Sequence, residues 1–518
     1  MLECQPLPFL NKLTPLRVFC IFLFTGLLIY ANAIFHPFVH DDIVFIQKNP
    51  AITDWRLSTL FSSGVRFDEE SLLRNAYYRP FLEILYRLQY KAFHLNAAAY
   101  HFFNIFLHII NSFILYRLVL ILLSSKAQSF LIALFFLIHP LQTESVACIS
   151  GISNLAFAFF ILSSLYLYML KNKEMSCVLF LLALFSKEQA IVLPVLIGCY
   201  ELCLGKKRGW NLVKGVTPYG VILGAYFLLR KILIGSTFGT TFTSSYELWM
   251  RILSIPRTLL TYLRIIVLPY DLHYYRSVDI LRPFWGPLII LSIVVLALYS
   301  AVYFCPKTKN QHRVLIFGLG WFMVTLGPVL NILPLINEYS LILTAEHFLY
   351  LPLVGILISI FAFLNNFKKA KIFILGFIVV CMGITIYQNT FWRNEVVLFE
   401  RTVKYETNFG RGHILLAKAY YQSGRFQESI NTNQKALTIM QGYVQKVKNL
   451  EIKNFYLGFI QNIYIDLNAA HNNLGVQYAI SKNWPQAIKH LQKALQIFPD
   501  DQNARNNLNA VYREMNKK

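Results

Sequence analysis

Eleven apolar segments recur along the first 390 residues of this 518-residue chain, and they limit what it can fold into. They are Leu16 to Phe35, Tyr100 to Leu123, Phe130 to His139, Leu155 to Leu170, Cys177 to Phe185, Ala190 to Leu204, Leu212 to Ile234, Trp285 to Phe304, Val314 to Leu330, Phe348 to Leu364 and Ile372 to Thr390. About 20 apolar residues cross the hydrocarbon core of a bilayer as a helix, so the pattern predicts an all-α, polytopic membrane protein with about eleven transmembrane helices. Composition agrees: 56% of the residues are hydrophobic and 14% charged, against about 25% charged in a soluble domain. Phe130 to His139 and Cys177 to Phe185 are short, and must extend into their polar flanks or be shielded by neighbours. The first segment ends near Ala31-Asn32-Ala33 like a signal peptide, but its length predicts a retained helix.

The net charge of +22 would suggest nucleic acid in a soluble protein. Here Lys and Arg gather between apolar segments, as they do in cytoplasmic loops, and no nucleic-acid partner is expected. With a cytoplasmic N-terminus, the clusters Arg117/Lys126, Lys171/Lys173, Lys206 to Lys214, Lys307 to Arg313 and Lys368 to Lys371 all fall inside. This parity depends on reading Tyr246 to Pro269, which carries Arg251, Arg257, Arg264 and Pro256, as an interfacial amphipathic segment. The C-terminus is then outside, and so are His36 to Ala99, Pro140 to Asn154, Ser186 to Gln189, Gly235 to Phe284 and Asn331 to His347. The eight cysteines lack metal-like spacing and are expected to be inert core thiols.

The most informative polar residues therefore share one face. Asp41 and Asp42 lie just past the first segment, where adjacent carboxylates are costly to hold near lipid and so mark a functional site. The loop from 36 to 99 continues through Tyr77-Tyr78-Arg79-Pro80 into an aromatic-rich amphipathic stretch ending at Phe93. His139, Glu144 and Ser145 form a second cluster, able to position an acceptor or a divalent metal, although no ligand set follows from their spacing. Asn104, His108 and Asn111 share a helix face and read as interhelical hydrogen-bonding groups.

Beyond residue 390 the chain turns soluble and repeats itself. Leu416-Ala417, Tyr420, Gly424, Phe426, Ser429 and Ala436 recur as Leu474-Gly475, Tyr478, Trp484, Ala487, Ala494 and Pro499, and a third copy starts at Leu508-Asn509 with Tyr512. The pattern is that of tetratricopeptide repeats, so residues 391–518 are expected to form an α-solenoid with a terminal capping helix. Ala417 and Gly475 lie 58 positions apart, where about 34 is usual, which predicts an inserted helical stretch around Val447 to Ile465. Such solenoids bind partner proteins or peptides in a concave groove.

The succession HDD, YYRPFLEILYRLQY, NIFLHIIN, HPLQTESVACISG, LFSKEQAIVLP and AEHFLYLP, ahead of the repeats, resembles the O-mannosyltransferase-type membrane glycosyltransferases of the C superfamily that carry tetratricopeptide repeats. The resemblance covers essentially the whole chain. It implies a transmembrane catalytic domain over 1–390 and a soluble repeat domain over 391–518 on the non-cytoplasmic side. It also implies transfer of a mannose-like hexose from a polyprenyl-phosphate donor to an acceptor hydroxyl, a protein Ser or Thr, with inversion. By the same resemblance Asp41 or Asp42 is the general base. A phosphate leaving group needs cations and no acid, which points to Lys187 first, Arg79 second and His347 third.

This chain departs from its relatives where Cys148, Ile152 and Asn154 replace an aromatic and a charged pair, and where His347-Phe348 replaces Arg-Tyr. The phosphate role then falls on Lys187 and Arg79. A membrane-anchored scaffold and a lipid-linked sugar transporter are the competing readings, the latter disfavoured because polar groups lie on one face. The short solenoid points to a bacterial inner membrane, with the endoplasmic reticulum as the alternative.

Overall fold

A computed structural model describes Leu10 and residues 12–56, 78–205, 207–234, 245–279, 284–304, 308–330, 341–364, 370–447 and 450–517. Tyr77, Lys206, Lys307, Lys368 and Lys369 from the expected motifs lie outside these residues. The chain divides into two compact units: Met1–Leu272 with Arg276–Asn394, and Glu395–Lys518 with His273–Tyr275.

The first unit contains α1 (Pro15–Tyr30), α2 (Pro80–Phe93), α3 (Ala97–Leu123), α4 (Lys126–Ile138), the short α5 (Thr143–Ala147), α6 (Ile152–Met169), α7 (Lys173–Ser186), α8 (Leu193–Cys203), α9 (Gly209–Ile234) and α10 (Ser245–Val267). It continues with α11 (Trp285–Phe304), α12 (Lys309–Leu326), α13 (Pro352–Leu364) and α14 (Ala370–Asn389). A small antiparallel pair, β1 (Ser277–Asp279) with β2 (Leu341–Leu343), sets Val278 opposite Ile342.

Each of the eleven apolar segments coincides with a helix. Among the described residues, α1, α3, α6, α9 and α12 are long and apolar enough, and a sixth span results if α4 and the segment Pro140–Ala147, bent by 51°, act together. Helices α4, α7, α8 and α13 have 13, 14, 11 and 13 residues. At 1.5 Å per residue they reach about 17–21 Å, short of a ~30 Å hydrocarbon core. Two of them, α4 and α13, are enclosed on most sides by other helices, which is how short segments are sheltered from lipid.

The expected interfacial stretch Tyr246 to Pro269 is helical as far as Val267, in α10, which passes through Pro256 without a break, buries Arg251 and exposes Trp249.

Close backbone contact fixes the crossing of α12 and α13. A methyl group on Gly355 would lie 2.4 Å from the Gly318 carbonyl oxygen and 2.6 Å from the Phe322 nitrogen. Small residues permit such approaches between membrane helices. Gly355→Ala must push the two helices apart, so we expect a loss of about 1–3 kcal/mol, seen as earlier thermal unfolding of the detergent-solubilised protein. The polar face of α3 ties the unit together. Asn104 donates to the carbonyls of Cys148 and Ile149, His108 lies 2.7 Å from the Tyr350 hydroxyl, and Asn111 donates to Leu155 O and Tyr350.

The second unit contains α15 (Glu395–Tyr405), α16 (Gly410–Gln422), α17 (Phe426–Lys446), α18 (Leu450–Ile480), α19 (Trp484–Ile497) and α20 (Gln502–Met515). Gly424 turns the chain between α16 and α17 at φ +76°, where a side chain would be strained. The 58-residue spacing does not produce a separate inserted helix. The insertion instead lengthens α17 and makes α18 one helix of 31 residues. Asp501 caps α20 by accepting from the Asn503 and Ala504 amides.

Candidate active site

The acidic pair occupies the loop that follows α1, and the two carboxylates have different surroundings. A hydrophobic cluster that includes Phe38, Ile46, Leu82, Tyr86, Tyr100 and Ile149 packs this loop against α2 and the segment preceding α6. His40 takes a left-handed conformation, φ 49°, and turns the chain into Asp41 and Asp42. Asp42 is fully buried. Its Oδ1 accepts from Ser150 N at 2.7 Å and from the Cys148 thiol at 3.5 Å, while Oδ2 accepts from Val39 N at 3.2 Å and Ile149 N at 3.4 Å. Burial drives its pKa up to about 6, and the amides of Ser150 and Val39 limit the rise. The Asp41 side chain is 38% exposed and lies 3.3 Å from His40 Nε2. One aspartate ties two loops together; the other faces outward.

Apart from Val39, these partners of Asp42 lie in the segment 148–151, which Asn104 holds from the other side. There the chain passes so close to Ser145 that a methyl on Gly151 would sit 2.4 Å from its carbonyl oxygen.

Next along the site is a buried acid–base set. Glu144, on α5, places Oε1 2.7 Å from His347 Nδ1 and accepts the His347 amide on Oε2 at 2.9 Å. Burial would raise the Glu144 pKa, but His347 and Lys187 outweigh it and hold the carboxyl below its usual range. Lys187 follows the last turn of α7, donates to Asn154 Oδ1, and lies 5.8 Å from the Phe348 ring centroid. Burial, reinforced by Arg79, brings its pKa down to about 7. Adjacent Glu188 accepts from Arg79 Nε and Nη2 at 2.9 and 2.7 Å, and Arg230 Nη1 stands 3.7 Å from its other oxygen. The rings of Tyr78, Phe185 and Tyr226 pack about this group.

Of the residues expected from sequence, Asp42, Glu144, Lys187, Arg79 and His347 are thus linked through these segments, with Asp41 beside Asp42. His139 faces elsewhere: Nε2 is 3.1 Å from Ile266 O, and Nδ1 accepts from Leu141 N. The imidazole joins α10 to the end of α4. The hydroxyl of Ser145 is buried, with no hydrogen-bond partner among the described residues. Among the described residues no group of three His, Cys, Asp or Glu side chains could hold a metal ion.

Sequence reasoning missed Asn154, Glu188 and Arg230. Arg230 carried a usable signal, because a lone arginine in an apolar segment is costly unless it serves a polar site.

A bundle of apolar helices with a buried charged cluster, followed by helical repeats, defines a multi-pass membrane protein with a tetratricopeptide repeat region. The tetratricopeptide repeat model matches residues 469–501. The chain is similar to proteins named protein O-mannosyl-transferases. It is 24% identical over 449 residues to F38B6.6 of Caenorhabditis elegans, covering 80% of this chain and 62% of that protein. Against TMTC3 of Mus musculus it is 23% identical over 512 residues, covering 94% of this chain and 52% of the relative. With TMTC4 of Mus musculus the identity is 24% over 457 residues, covering 73% and 60%. The chain thus spans roughly half to three fifths of the length of these relatives. No solved structure matches it.

Proposed function

We propose that this protein transfers mannose from a polyprenyl-phosphate carrier to a Ser or Thr hydroxyl of a protein on the non-cytoplasmic face of the membrane. The observation that carries the reading is the buried group of Arg79, Lys187 and Arg230 beside Glu188, in the same unit as the partly exposed carboxylate of Asp41. Asp41 takes the proton of the acceptor hydroxyl as its oxygen bonds to the anomeric carbon. The bond from that carbon to the phosphate oxygen breaks, and its electron pair leaves with the polyprenyl phosphate. Displacement from the opposite side inverts the anomeric centre. Lys187 and Arg79 stabilise the departing anion, and His347, held by Glu144, borders the same space.

The repeat unit supplies a place for the acceptor protein. It contains a groove of about 720 Å³ lined by Leu437, Leu457, Tyr464, Ile497 and Phe498. An N-terminus in the cytoplasm, argued from the lysine clusters, puts the site on the opposite face. The animal origin of the relatives supports the endoplasmic reticulum over a bacterial membrane.

The direct test is transfer of labelled mannose from a polyprenyl-phosphate donor to a Ser/Thr peptide by the purified, lipid-reconstituted protein. No transfer from such donors would overturn the reading. The same assay tests the role of Lys187. With a folded-state pKa of about 7, Lys187 is cationic below pH 7 and loses its charge as pH rises. A phosphodiester donor keeps one negative charge throughout, so the donor KM is expected to rise severalfold between pH 6 and pH 8. Lys187→Arg, always charged, should flatten the profile.

A further inference from the structure

We propose that Glu188 is an internal stand-in for phosphate: it pairs with Arg79 and is displaced when the phosphate of a polyprenyl carrier enters. This rests on the donor-phosphate reading given above and adds a gating element to it. Both Arg79 donors converge on one Glu188 oxygen, at 2.9 and 2.7 Å, while the other oxygen stays 3.7 Å from Arg230 Nη1, beyond hydrogen-bonding range. A planar carboxylate with two oxygens meets one guanidinium well and the second poorly. A tetrahedral phosphate presents oxygens in more directions and suits arginines approaching from different elements.

Charge points the same way. Arg79 and Arg230 both meet the Glu188 carboxylate and Lys187 feels its charge, while the nearby Glu144 is engaged by His347. The three cations come from the start of α2, the break after α7 and the last turns of α9. An anion arriving here would meet a group already arranged by Glu188, which keeps the cations oriented beforehand. The Glu188 side chain is 13% exposed and begins the short helical turn Glu188–Val192 directly after the break at Lys187.

A stand-in lowers apparent affinity by the fraction of time that it holds the site. A plain counter-ion would also weaken phosphate binding through its field, so the test must separate displacement from field. Dolichyl phosphate and inorganic phosphate are titrated into the full-length protein in detergent, for wild type, Glu188→Gln, Glu188→Asp, Arg79→Met and the Glu188→Gln/Arg79→Met double variant. Thermal unfolding of each variant checks the fold.

We expect Glu188→Gln to bind dolichyl phosphate about tenfold more tightly. Glu188→Asp keeps the charge but falls short of Arg79, and should also bind more tightly. The gain from Glu188→Gln should vanish when Arg79 is already Met. A gain for both ligands means that the stand-in answers to phosphate itself, and a gain for dolichyl phosphate alone means that it answers to the lipid headgroup. A wild-type affinity in Glu188→Asp, or an undiminished gain in the double variant, overturns the stand-in. Should Glu188→Gln not fold, the Glu188→Asp result decides alone. Failure of wild type to bind either ligand removes the donor-phosphate reading and this inference with it.

Discussion

Asp41→Asn is expected to slow mannose transfer by about 10²–10⁴-fold, the contribution of a positioned general base, and to leave thermal unfolding unchanged. Asp42→Asn should fail differently. Its carboxylate receives the amides of Val39, Ile149 and Ser150, and an amide side chain turns an NH2 group toward one set of these donors. We expect a loss of ~2 kcal/mol, moderated because the buried negative charge is also removed. Activity should fall with the folded fraction. The pH dependence separates the two residues further. Burial raises the folded-state pKa of Asp42 to about 6 from an ordinary value near 3.8, so between these values the folded protein binds the extra proton. That contribution to stability is fully present below about pH 4 and is lost as pH rises through 6. The stability difference between wild type and Asp42→Asn should therefore widen as pH falls from 7 to 4. An Asp41→Asn variant with full transfer activity would remove its assignment as the base.

Glu144→Ala should be the most destabilising single change in the site. Removing one member of a buried ion pair commonly costs about 3–5 kcal/mol, and the lower end applies here because the His347 side chain is 22% exposed. The Glu144 carboxylate also receives the His347 amide and helps to offset the Lys187 charge, and both functions are lost with it. Detergent-solubilised protein should unfold well below wild type, while Glu144→Gln, which retains an acceptor, recovers part of the loss. Equal unfolding temperatures for wild type and Glu144→Ala would show that this pair does not hold the segment 346–350 in place.

The membrane unit is legible in sequence to the extent that burial and lipid exposure select the same residues. Long apolar segments announce helices, and every one of the eleven coincides with a helix. Hydropathy does not say whether a segment such as Lys126–Ile138 faces lipid or other helices, and among the described residues five or six spans pass by length and apolarity alone. The Asp41–Asp42 pair is visible because charge at a membrane boundary is unusual. Its division of labour is not, since it depends on amides at 149 and 150, more than 100 positions away. Arg230 is visible as the one arginine of its apolar segment, but the pattern of that segment does not say that it meets Glu188. In the repeats, spacing reveals that residues have been inserted but not whether they form a new helix or lengthen an old one.

That lengthening alters how the second unit can come apart. The first half of α18 packs on α17, with Tyr443 and Tyr456 rings 5.3 Å apart, and its second half binds α19 and α20 through Asn468, His471 and Asn472. Repeat arrays ordinarily melt one module at a time from their ends, because each contacts only its neighbours. Here a single helix of 31 residues, about 46 Å long, is shared by successive modules. Neither module can melt without unmaking part of the other, so the array gains cooperativity and loses the independent fraying that lets a longer solenoid flex.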